Sequence, residues 1–322
     1  MVRHYQARLA PDFLKSSTSY TVSFRRNLQE ELFNETNYNK IFRPENTVTV
    51  EIKYKLQYVI AVDIKEQTVS TTGLFSVFWN DSRLVWDKSM YGGIEYIYVP
   101  EDLVWHPDLV VLNSIIELEN KLGAGRTIRI SNAGQLRWEP IAVLSTACAM
   151  VLAWFPFDRQ RCFIKLASMD HPYYEVYLIF KSTAVDTRLH ETQADWELVE
   201  TLQDYSYIFD DDGVAYPVLK FGITVKRLPL HYILIVIVPT ILTTVLTFIA
   251  FFLPLKSGTR LGYIVTVVLT LVVLLTLFVD KIPSAAKFPS ILVAVFTVTL
   301  GMAFLLIIIM IFVMRILQFY IY

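Results

Sequence analysis

The sequence has little charge of either sign. Lysine, arginine, aspartate and glutamate together make up 18% of its 322 residues, the formal net charge is −1, and 54% of the residues are hydrophobic. It contains no stripe of lysine and arginine with interleaved aromatic residues that could bind a phosphate backbone, so we expect no nucleic-acid partner. So apolar a chain is not expected to be an ordinary soluble protein, and part of it should lie in lipid.

The sequence also lacks the patterns of catalytic and metal centres. Its five histidines have no metal-ligand spacing, and neither a Gly-x-Ser-x-Gly motif nor a glycine-rich phosphate loop is present. His171 follows Asp170, but a lone histidine of this kind is more often a loop residue than a base. We therefore predict no catalytic residue, no metal and no cofactor, and we do not expect an enzyme.

The charge is distributed unevenly along the chain. Residues 1–227 carry nearly all of it, whereas residues 228–322 are almost continuously hydrophobic. This contrast predicts an N-terminal extension at residues 1–28, a polar domain at 29–228 and a transmembrane helical domain at 229–322.

The polar domain shows strand periodicity. Every second residue from Val48 to Val62 is apolar, which predicts one long antiparallel strand with a buried face. Similar alternation runs from Leu219 to Val225, and residues 127–138 read as two strands that turn at 131–134. Many strands without helical crossovers predict an antiparallel β-sandwich. One amphipathic helix is predicted before them, at residues 29–42.

The two cysteines of the chain, Cys148 and Cys162, enclose thirteen residues. A disulfide across this short loop is sterically possible, and two free buried thiols are the alternative. Asn34 and Asn80 each begin an acceptor sequence for N-glycosylation, which agrees with an oxidising, extracellular setting, although such sequences also arise by chance.

Three apolar runs predict the membrane spans. Residues 230–253 could cross a hydrocarbon core of about 30 Å, and residues 261–280 form the second run. The third span is placed at about 288–313, but its apolar run continues to residue 322, which as one helix would be about 52 Å long. It is either one long span or a third span joined directly to part of a fourth near Gly301. A complete fourth span is not predicted.

The second run carries a distinct helical stripe. Its members recur at intervals of three or four residues: Gly262, Thr266, Leu269, Val273, Thr276 and Asp280. Hydroxyl groups near the ends and an apolar middle suit the wall of a water-filled pore that closes by dewetting. The alternative is a buried helix whose threonines bond to their own backbone carbonyls.

The segment between the cysteines resembles a known family. A thirteen-residue loop containing Phe155, Pro156, Phe157 and Asp158 is similar to the signature loop of Cys-loop receptors, which are pentameric ligand-gated ion channels. Trp79, Trp86, residues 105–108 and residues 226–229 agree with this family. The resemblance implies a subunit that assembles with four further, identical subunits in the plasma membrane. Residues 1–228 would be extracellular, and a small-molecule ligand would open the pore to inorganic ions.

The same resemblance implies how a ligand would act on the pore. The loop tip, Phe155 to Phe157, would rest against the segment after the pore helix, at Pro283. Arg227 would pair with Asp158 and also with Glu66, and so couple the two domains. As an alternative, an arginine before a membrane span could simply anchor at lipid headgroups.

The expected ligand site departs from the nicotinic members of the family, which hold an ammonium group in a box of aromatic rings. Leu74, Leu112 and Met169 stand where three of those rings would be. The resemblance places a ligand between Met169, Phe209 and Tyr216 of one subunit and Arg137 and Trp138 of the next, with ordinary packing and solvated charge as the alternative. Arg137 would favour a carboxylate or another anionic group.

The choice of ion rests on few residues. Cation-selective relatives carry glutamate where this chain has Thr259, but Asp280 at the outer mouth would attract cations. We therefore expect cation selectivity. A membrane receptor or binding assembly of the same architecture that does not conduct is the main alternative.

Overall fold

A computed structural model describes residues 22–34, 36–116, 127–192, 195–249, 252, 259–279 and 291–321. The predicted extension at 1–28 thus lies largely outside the described residues. The elements, in order, are α1 (Val22–Leu32), β1 (Val48–Asp63), β2 (Thr68–Val85), β3 (Tyr96–Pro100), β4 (Leu109–Val111), β5 (Thr127–Ser131), β6 (Ala133–Trp138), β7 (Ile141–Ala147), β8 (Arg159–Ser168), β9 (Val176–Asp186), β10 (Trp196–Phe209) and β11 (Ala215–Arg227). Three apolar helices follow: α2 (Leu230–Ile249), α3 (Thr259–Val279) and α4 (Ile291–Ile321).

The strands form two packed sheets. One has the order β3-β5-β6-β2-β1-β9, with β7 pairing the other end of β2, and the second has the order β10-β11-β8-β4. All pairs are antiparallel except β1 with β9. The predicted β-sandwich is confirmed, because the inward residues of both sheets share one apolar core.

Aromatic rings occupy the centre of this core. Phe221 of β11 lies 5.7 Å from Phe75 of β2 and 5.3 Å from Phe180 of β9, measured between ring centroids. Tyr54 of β1 lies 4.7 Å from Phe75, and its hydroxyl bonds to Thr71 at 3.1 Å. The rings therefore join the two sheets, and the one buried phenol among them is satisfied.

Strand β1 follows the predicted alternation only in its first half. Val48, Val50, Ile52, Tyr54 and Leu56 are buried, but beyond them Tyr58 and Ile60 are exposed and Val59 is buried instead. The register between β1 and β2 shifts between Leu56 and Tyr58 and again between Val59 and Ala61. A β-bulge inserts one residue and exchanges the two faces, so the prediction for the second half was wrong.

The helix before the sandwich begins and ends earlier than predicted. It covers Val22–Leu32, whereas residues 29–42 were expected to be helical. The side-chain oxygens of Asn34 and Asn39 accept hydrogen bonds from the backbone of Thr36 and Ile41. Such local bonds replace the helical ladder and favour turns, which explains why the helix stops at Leu32.

A polar network supports the sandwich near this helix. The Tyr38 hydroxyl donates to Asp81 Oδ2 at 3.2 Å and accepts from the backbone N–H of Trp105 at 2.9 Å. Arg83 pairs with the fully buried Asp81 and lies over the Tyr38 ring at 4.5 Å. Burial is the main cause that raises the pKa of Tyr38 to about 12.

The apolar runs form helices as expected. Within the described residues, α2 and α4 contain stretches long and apolar enough to cross a membrane. Residues Ile233–Ile237 of α2 form a π-helical turn, just before Pro239, which cannot donate the next helical bond. Helix α4 continues unbroken through Gly301, so a chain reversal at that glycine is excluded.

Candidate functional site

Arg227 and Asp158 meet where the sandwich ends. Arg227 is the last residue of β11, and its Nε and Nη2 atoms donate to the two Asp158 carboxylate oxygens at 2.8 and 3.1 Å. Both residues are only 3% exposed, and Gln160 Nε2 also donates to Asp158, at 2.6 Å. The predicted pair is therefore present, with a bidentate, buried geometry.

Three aromatic rings enclose the guanidinium of Arg227. Its central carbon lies 4.1 Å from the ring centre of Trp196, 4.9 Å from Phe155 and 5.2 Å from Tyr232. Trp196 belongs to β10, Phe155 to the loop between the two cysteines, and Tyr232 to α2. The described contacts of Arg227 do not include Glu66, the second expected partner. Because the arginine is buried within protein, it does not serve as a headgroup anchor.

The loop between the cysteines packs directly on the membrane helices. Phe155 is buried in a cluster with Ile64, from the β1–β2 turn, and with Leu292 and Phe296 of α4. The Ile291 N–H donates to the Ala153 carbonyl at 3.1 Å. The expected contact at Pro283 lies outside the described residues, so the described junction is formed by α2 and α4.

Helix α3 presents the predicted stripe to the outside of the single chain. Gly262, Thr266, Leu269, Val273 and Thr276 are all exposed, Leu269 by 63%, whereas Ile264, Val267 and Leu271 on the opposite side are buried. Asp280, the last predicted member, lies outside the described residues. One face of α3 is thus packed inside the chain. Its other face, which carries both hydroxyl and apolar groups, remains accessible to further protein or water.

The threonine hydroxyls on this face donate to their own backbone. Thr266 bonds to the Gly262 carbonyl at 2.9 Å, Thr270 to the Thr266 carbonyl at 3.0 Å and Thr276 to the Val273 carbonyl at 2.8 Å. Each hydroxyl proton is thereby occupied, and the oxygen lone pairs remain available. The self-bonding expected of the alternative is present, but on the exposed face of the helix and not on a buried one.

The β10–β11 hairpin holds two of the predicted ligand residues on different faces. Ile208 is the cross-strand partner of Tyr216, and Ala215 is the partner of Phe209. Because successive residues of a strand point to opposite faces, Phe209 and Tyr216 project from opposite sides of the hairpin. Met169, just after β8, is 41% exposed.

Tyr216 has an acidic and aromatic surrounding that sequence reasoning missed. Its hydroxyl bonds to Asp210 Oδ2 at 3.3 Å. Burial, the charge of Asp210 and the neighbouring Tyr174 all raise the pKa of Tyr216 above its ordinary value. This corner of the sandwich therefore favours a neutral phenol beside a carboxylate.

Arg137 and Trp138 likewise lie on opposite faces of their strand. Trp138 is 3% exposed and packs against His106, with ring centres 5.6 Å apart, so it belongs to the core and is not available on the open face. The prediction that both residues line one site is therefore corrected. Every second residue of a strand lies on the same face, so the outward neighbour of Arg137 is Glu139.

Glu139 is the centre of an ionic network on the open sheet face. Its Oε1 accepts hydrogen bonds from Arg137 at 2.5 Å, Lys55 at 2.6 Å and Ser76 at 2.9 Å. Partial burial would raise the pKa of Glu139, but these bonds outweigh it and hold the pKa at about 2. The carboxylate is therefore ionised at neutral pH.

A cavity of about 200 Å³ opens beside this network. Its lining comes from three neighbouring strands and the residue that follows β6: Tyr98, Thr127, Arg129, Arg137 and Glu139. Only Arg137 was predicted as a site residue. The others could not be grouped with it from sequence, because the adjacency of β3, β5 and β6 depends on the sheet order.

Both parts of the chain match models of known protein domains. A family model described as the neurotransmitter-gated ion-channel ligand binding domain matches residues 25–229, and one described as the neurotransmitter-gated ion-channel transmembrane region matches residues 236–318. The chain belongs to the Cys-loop receptor family. The helices are accordingly transmembrane and the sandwich extracellular, and the family consists of ligand-gated channels and not of enzymes, as predicted.

Several acetylcholine receptor subunits are similar to this Cys-loop receptor chain. The subunit alpha-type acr-16 of Caenorhabditis elegans is 30% identical over 277 residues, covering 84% of this chain and 55% of that protein. The human neuronal subunit alpha-6 is 29% identical over 270 residues, covering 80% of this chain and 53% of that protein. The chain thus spans about half the length of the curated relatives it matches.

The extracellular chemistry of this Cys-loop receptor chain agrees in part with the sequence predictions. Cys148 and Cys162 form the disulfide that closes the signature loop, so the free-thiol alternative is wrong. Asn34 and Asn80 are both exposed, at a turn and on β2. Their glycosylation stays a prediction.

Proposed function

We propose that this chain is one subunit of a pentameric, ligand-gated, cation-conducting channel in the plasma membrane. The observation that carries the proposal is the exposed stripe of α3, residues 262–276, whose opposite face is packed inside the chain. One helix cannot enclose a path for ions. Five identical chains with this stripe turned inward would surround one, and a homopentamer meets that requirement with a single sequence.

The middle of the stripe supports a hydrophobic gate. Leu269 and Val273 are 63% and 49% exposed, and five copies of each would form two apolar rings. A narrow apolar ring excludes water and therefore ions until the helices separate. Leu269 is thus the proposed closing point.

Cation selectivity is supported by the orientation of the hydroxyl groups. Because Thr266 and Thr276 donate their protons to backbone carbonyls, they offer oxygen lone pairs to the proposed pore. Lone pairs can replace part of the hydration of a cation, whereas an anion would need the protons. Asp280, at the proposed outer mouth, would add negative charge.

The proposed ligand site lies at the boundary between neighbouring extracellular domains. Met169 and Tyr216 contribute one side, with Phe209 at the hairpin edge, and Arg137 contributes the other. The names of the relatives identify them as acetylcholine receptor subunits. Leu74, Leu112 and Met169 leave too few rings for the corresponding aromatic box, so we do not assign acetylcholine to this chain.

The buried junction provides the mechanical link in this proposal. A shift of β11 moves Arg227, and Arg227 is bound to Asp158, whose loop rests on α2 and α4 through Phe155. Movement at the ligand site can therefore reach the helices without an intervening flexible segment.

The test is voltage-clamp current from cells that express Leu269→Ser, with the ionic gradients varied. Wetting the proposed ring should produce spontaneous current without an agonist, reversing at the cation equilibrium potential. The unmodified chain and Val268→Ser, which makes a similar change on the packed side of α3, are the controls and should stay silent. Silence of Leu269→Ser despite pentamers at the cell surface would contradict conduction and favour a non-conducting receptor.

A further inference from the structure

Gln160 is a polar residue at a position that faces the sandwich core. It lies on β8, and the residues that alternate with it along that strand, Cys162, Ile164 and Leu166, are all part of the core. Gln160 itself is only 1% exposed. A buried amide without hydrogen bonds costs stability, so a glutamine at this position needs partners for its oxygen and for both of its N–H groups.

The side-chain amide of Gln160 binds both backbone groups of Val151. Its Oε1 accepts from the Val151 N–H at 3.0 Å, and its Nε2 donates to the Val151 carbonyl, also at 3.0 Å. The same Nε2 donates to Asp158 Oδ2 at 2.6 Å. All three bonds form in only one orientation of the amide, because exchanging its oxygen and nitrogen would set an N–H against an N–H and an oxygen against a carboxylate.

These bonds connect the two halves of the loop between the cysteines. Val151 precedes the tip of the loop, and Asp158 follows it. The tip itself is shaped by local turns, in which the N–H groups of Phe155 and Phe157 each donate to the carbonyl three residues earlier, at 3.1 and 2.7 Å. The disulfide closes the loop at its base. The bonds of Gln160 to Val151 and Asp158, here called the cross-loop link, close it a second time nearer the tip.

Asp158 is held from two directions. Arg227 of β11 donates to both carboxylate oxygens, at 2.8 and 3.1 Å, while Gln160 of β8 donates to Oδ2. A pair formed by one arginine and one carboxylate can shift as a unit. A further donor that is also bonded to Val151 ties this unit to the opposite half of the loop. The carboxylate is thereby joined to β11 and to both halves of the loop.

We propose that Gln160 is a positioning residue for the coupling between the sandwich and the membrane helices. Its cross-loop link makes the loop move as one body, so that a displacement of Arg227 carries Phe155 against α2 and α4. Without the link, the two halves of the loop would separate and absorb the displacement. The inference rests on the proposed function for the use of this movement in gating, whereas the link itself is testable without any current.

Hydrogen exchange in the full chain, reconstituted in nanodiscs, tests the link. Gln160→Met removes the amide with little change of volume. Two reporters are the Arg227 N–H and the Ile291 N–H, which donate to carbonyls of the loop at 3.3 and 3.1 Å and do not bond to Gln160. We expect both to exchange about tenfold faster or more in Gln160→Met. Gln203→Met, which changes an exposed glutamine of β10, is the matched control and should leave both unchanged.

A purely local role predicts a different result. The Val151 N–H loses its acceptor in Gln160→Met and should exchange faster in either case. If Val151 alone changed while Arg227 and Ile291 kept their protection, Gln160 would stabilise one turn and would not position the loop. That result would overturn the proposal.

Gln160→Glu is a second variant whose effect should be reversible. The carboxyl has nearly the shape of the amide, but when ionised it places a second carboxylate beside Asp158, with one guanidinium, that of Arg227, facing both. Burial and the like charge should raise the pKa of the introduced carboxyl. After correction for intrinsic exchange, both reporters should exchange rapidly at pH 8 and return to within about threefold of the unmodified chain at pH 5, where the carboxyl is protonated and donates again. Reporter exchange that does not change with pH would contradict the proposed role.

The outcome is separate from conduction. If Leu269→Ser gives no current, the channel is rejected, and exchange at the two reporters still decides whether Gln160 positions the loop. If Leu269→Ser conducts but both reporters stay protected in Gln160→Met, the channel is retained and the role of Gln160 is rejected.

Discussion

The β-sandwich and the membrane helices use apolar residues in opposite ways. Phe221 in the sandwich core is fully buried, whereas Phe304 on α4 is 63% exposed. Only 17% and 22% of the apolar stretches of α2 and α4 are buried inside the chain. The sandwich therefore completes its core within one chain, while the helices leave most of their apolar surface for lipid or further protein.

The two regions obtain their stability from different sources. In the sandwich, removal of apolar surface from water drives folding directly. In the bilayer that driving force between helices is weak, because lipid tails are as apolar as the side chains. Substitutions of equal size should therefore have unequal effects in the two regions.

The largest expected effect comes from a matched pair of phenylalanine substitutions. Phe221→Ala should cost about 3–5 kcal/mol of sandwich stability, because it leaves a cavity among the three rings packed around it. Phe304→Ala should change sandwich stability by less than about 0.5 kcal/mol. Denaturant unfolding followed by tryptophan fluorescence measures this, since all six tryptophans precede residue 228. Equal shifts would contradict the comparison.

A somewhat smaller loss is expected where the two regions meet. Asp158→Asn should cost about 3 kcal/mol, because the buried guanidinium of Arg227 loses its counter-charge. The same unfolding assay measures the stability. Agonist-free current in the Leu269→Ser background measures whether the sandwich and the helices remain coupled. Adding Arg227→Gln should recover part of the stability. If Asp158→Asn alone were neutral, the pair would not support the domain boundary.

A single hydroxyl group tests the polar network within the sandwich. Tyr38→Phe should cost about 1–2 kcal/mol, because Asp81 and the Trp105 N–H lose a buried partner. Tyr98→Phe, which removes a hydroxyl from the wall of an open cavity, serves as the control and should be nearly neutral. Equal costs for the two variants would show that burial does not decide the value of the bond.

The smallest expected effect is a change in how stability depends on acidic pH. The pKa of Glu139 is lowered from 4.5 to about 2 in the folded chain, so its contribution is present above about pH 4.5 and is lost as pH falls towards 2. Unfolding midpoints measured across this window should fall less steeply in Glu139→Gln than in the unmodified chain. Glu197→Gln, on the other sheet, should not alter the slope. Identical slopes in all three chains would remove Glu139 from the acid response.

Several features predicted from the sequence agree with the structure for a physical reason. The limits of β1, the turn between β5 and β6 and the face of α3 all depend on the repeat of the local backbone. The disulfide followed from a short loop in an oxidising setting. Each of these features involves residues that are near one another along the chain.

The features that were missed depend on neighbours distant in sequence. Trp196 and Tyr232 could be placed around Arg227 only once β10 and α2 were positioned. The register between β10 and β11 separated Phe209 from Tyr216, and a bulge reversed the second half of β1. The helix before the sandwich was misplaced for a different reason. The side chains of Asn34 and Asn39 accept hydrogen bonds from nearby backbone N–H groups and form turns there.

The division into sandwich and membrane helices, the exposed stripe of α3 and the cysteine pair could be read from the residues alone, because they depend on backbone periodicity and a short loop. That Arg129 lies opposite Arg137, and that Glu139 joins Arg137 while Trp138 does not, required the folded chain. Strand order and register are set by the packing of the entire sheet, and one residue of slip moves every side chain to the other face.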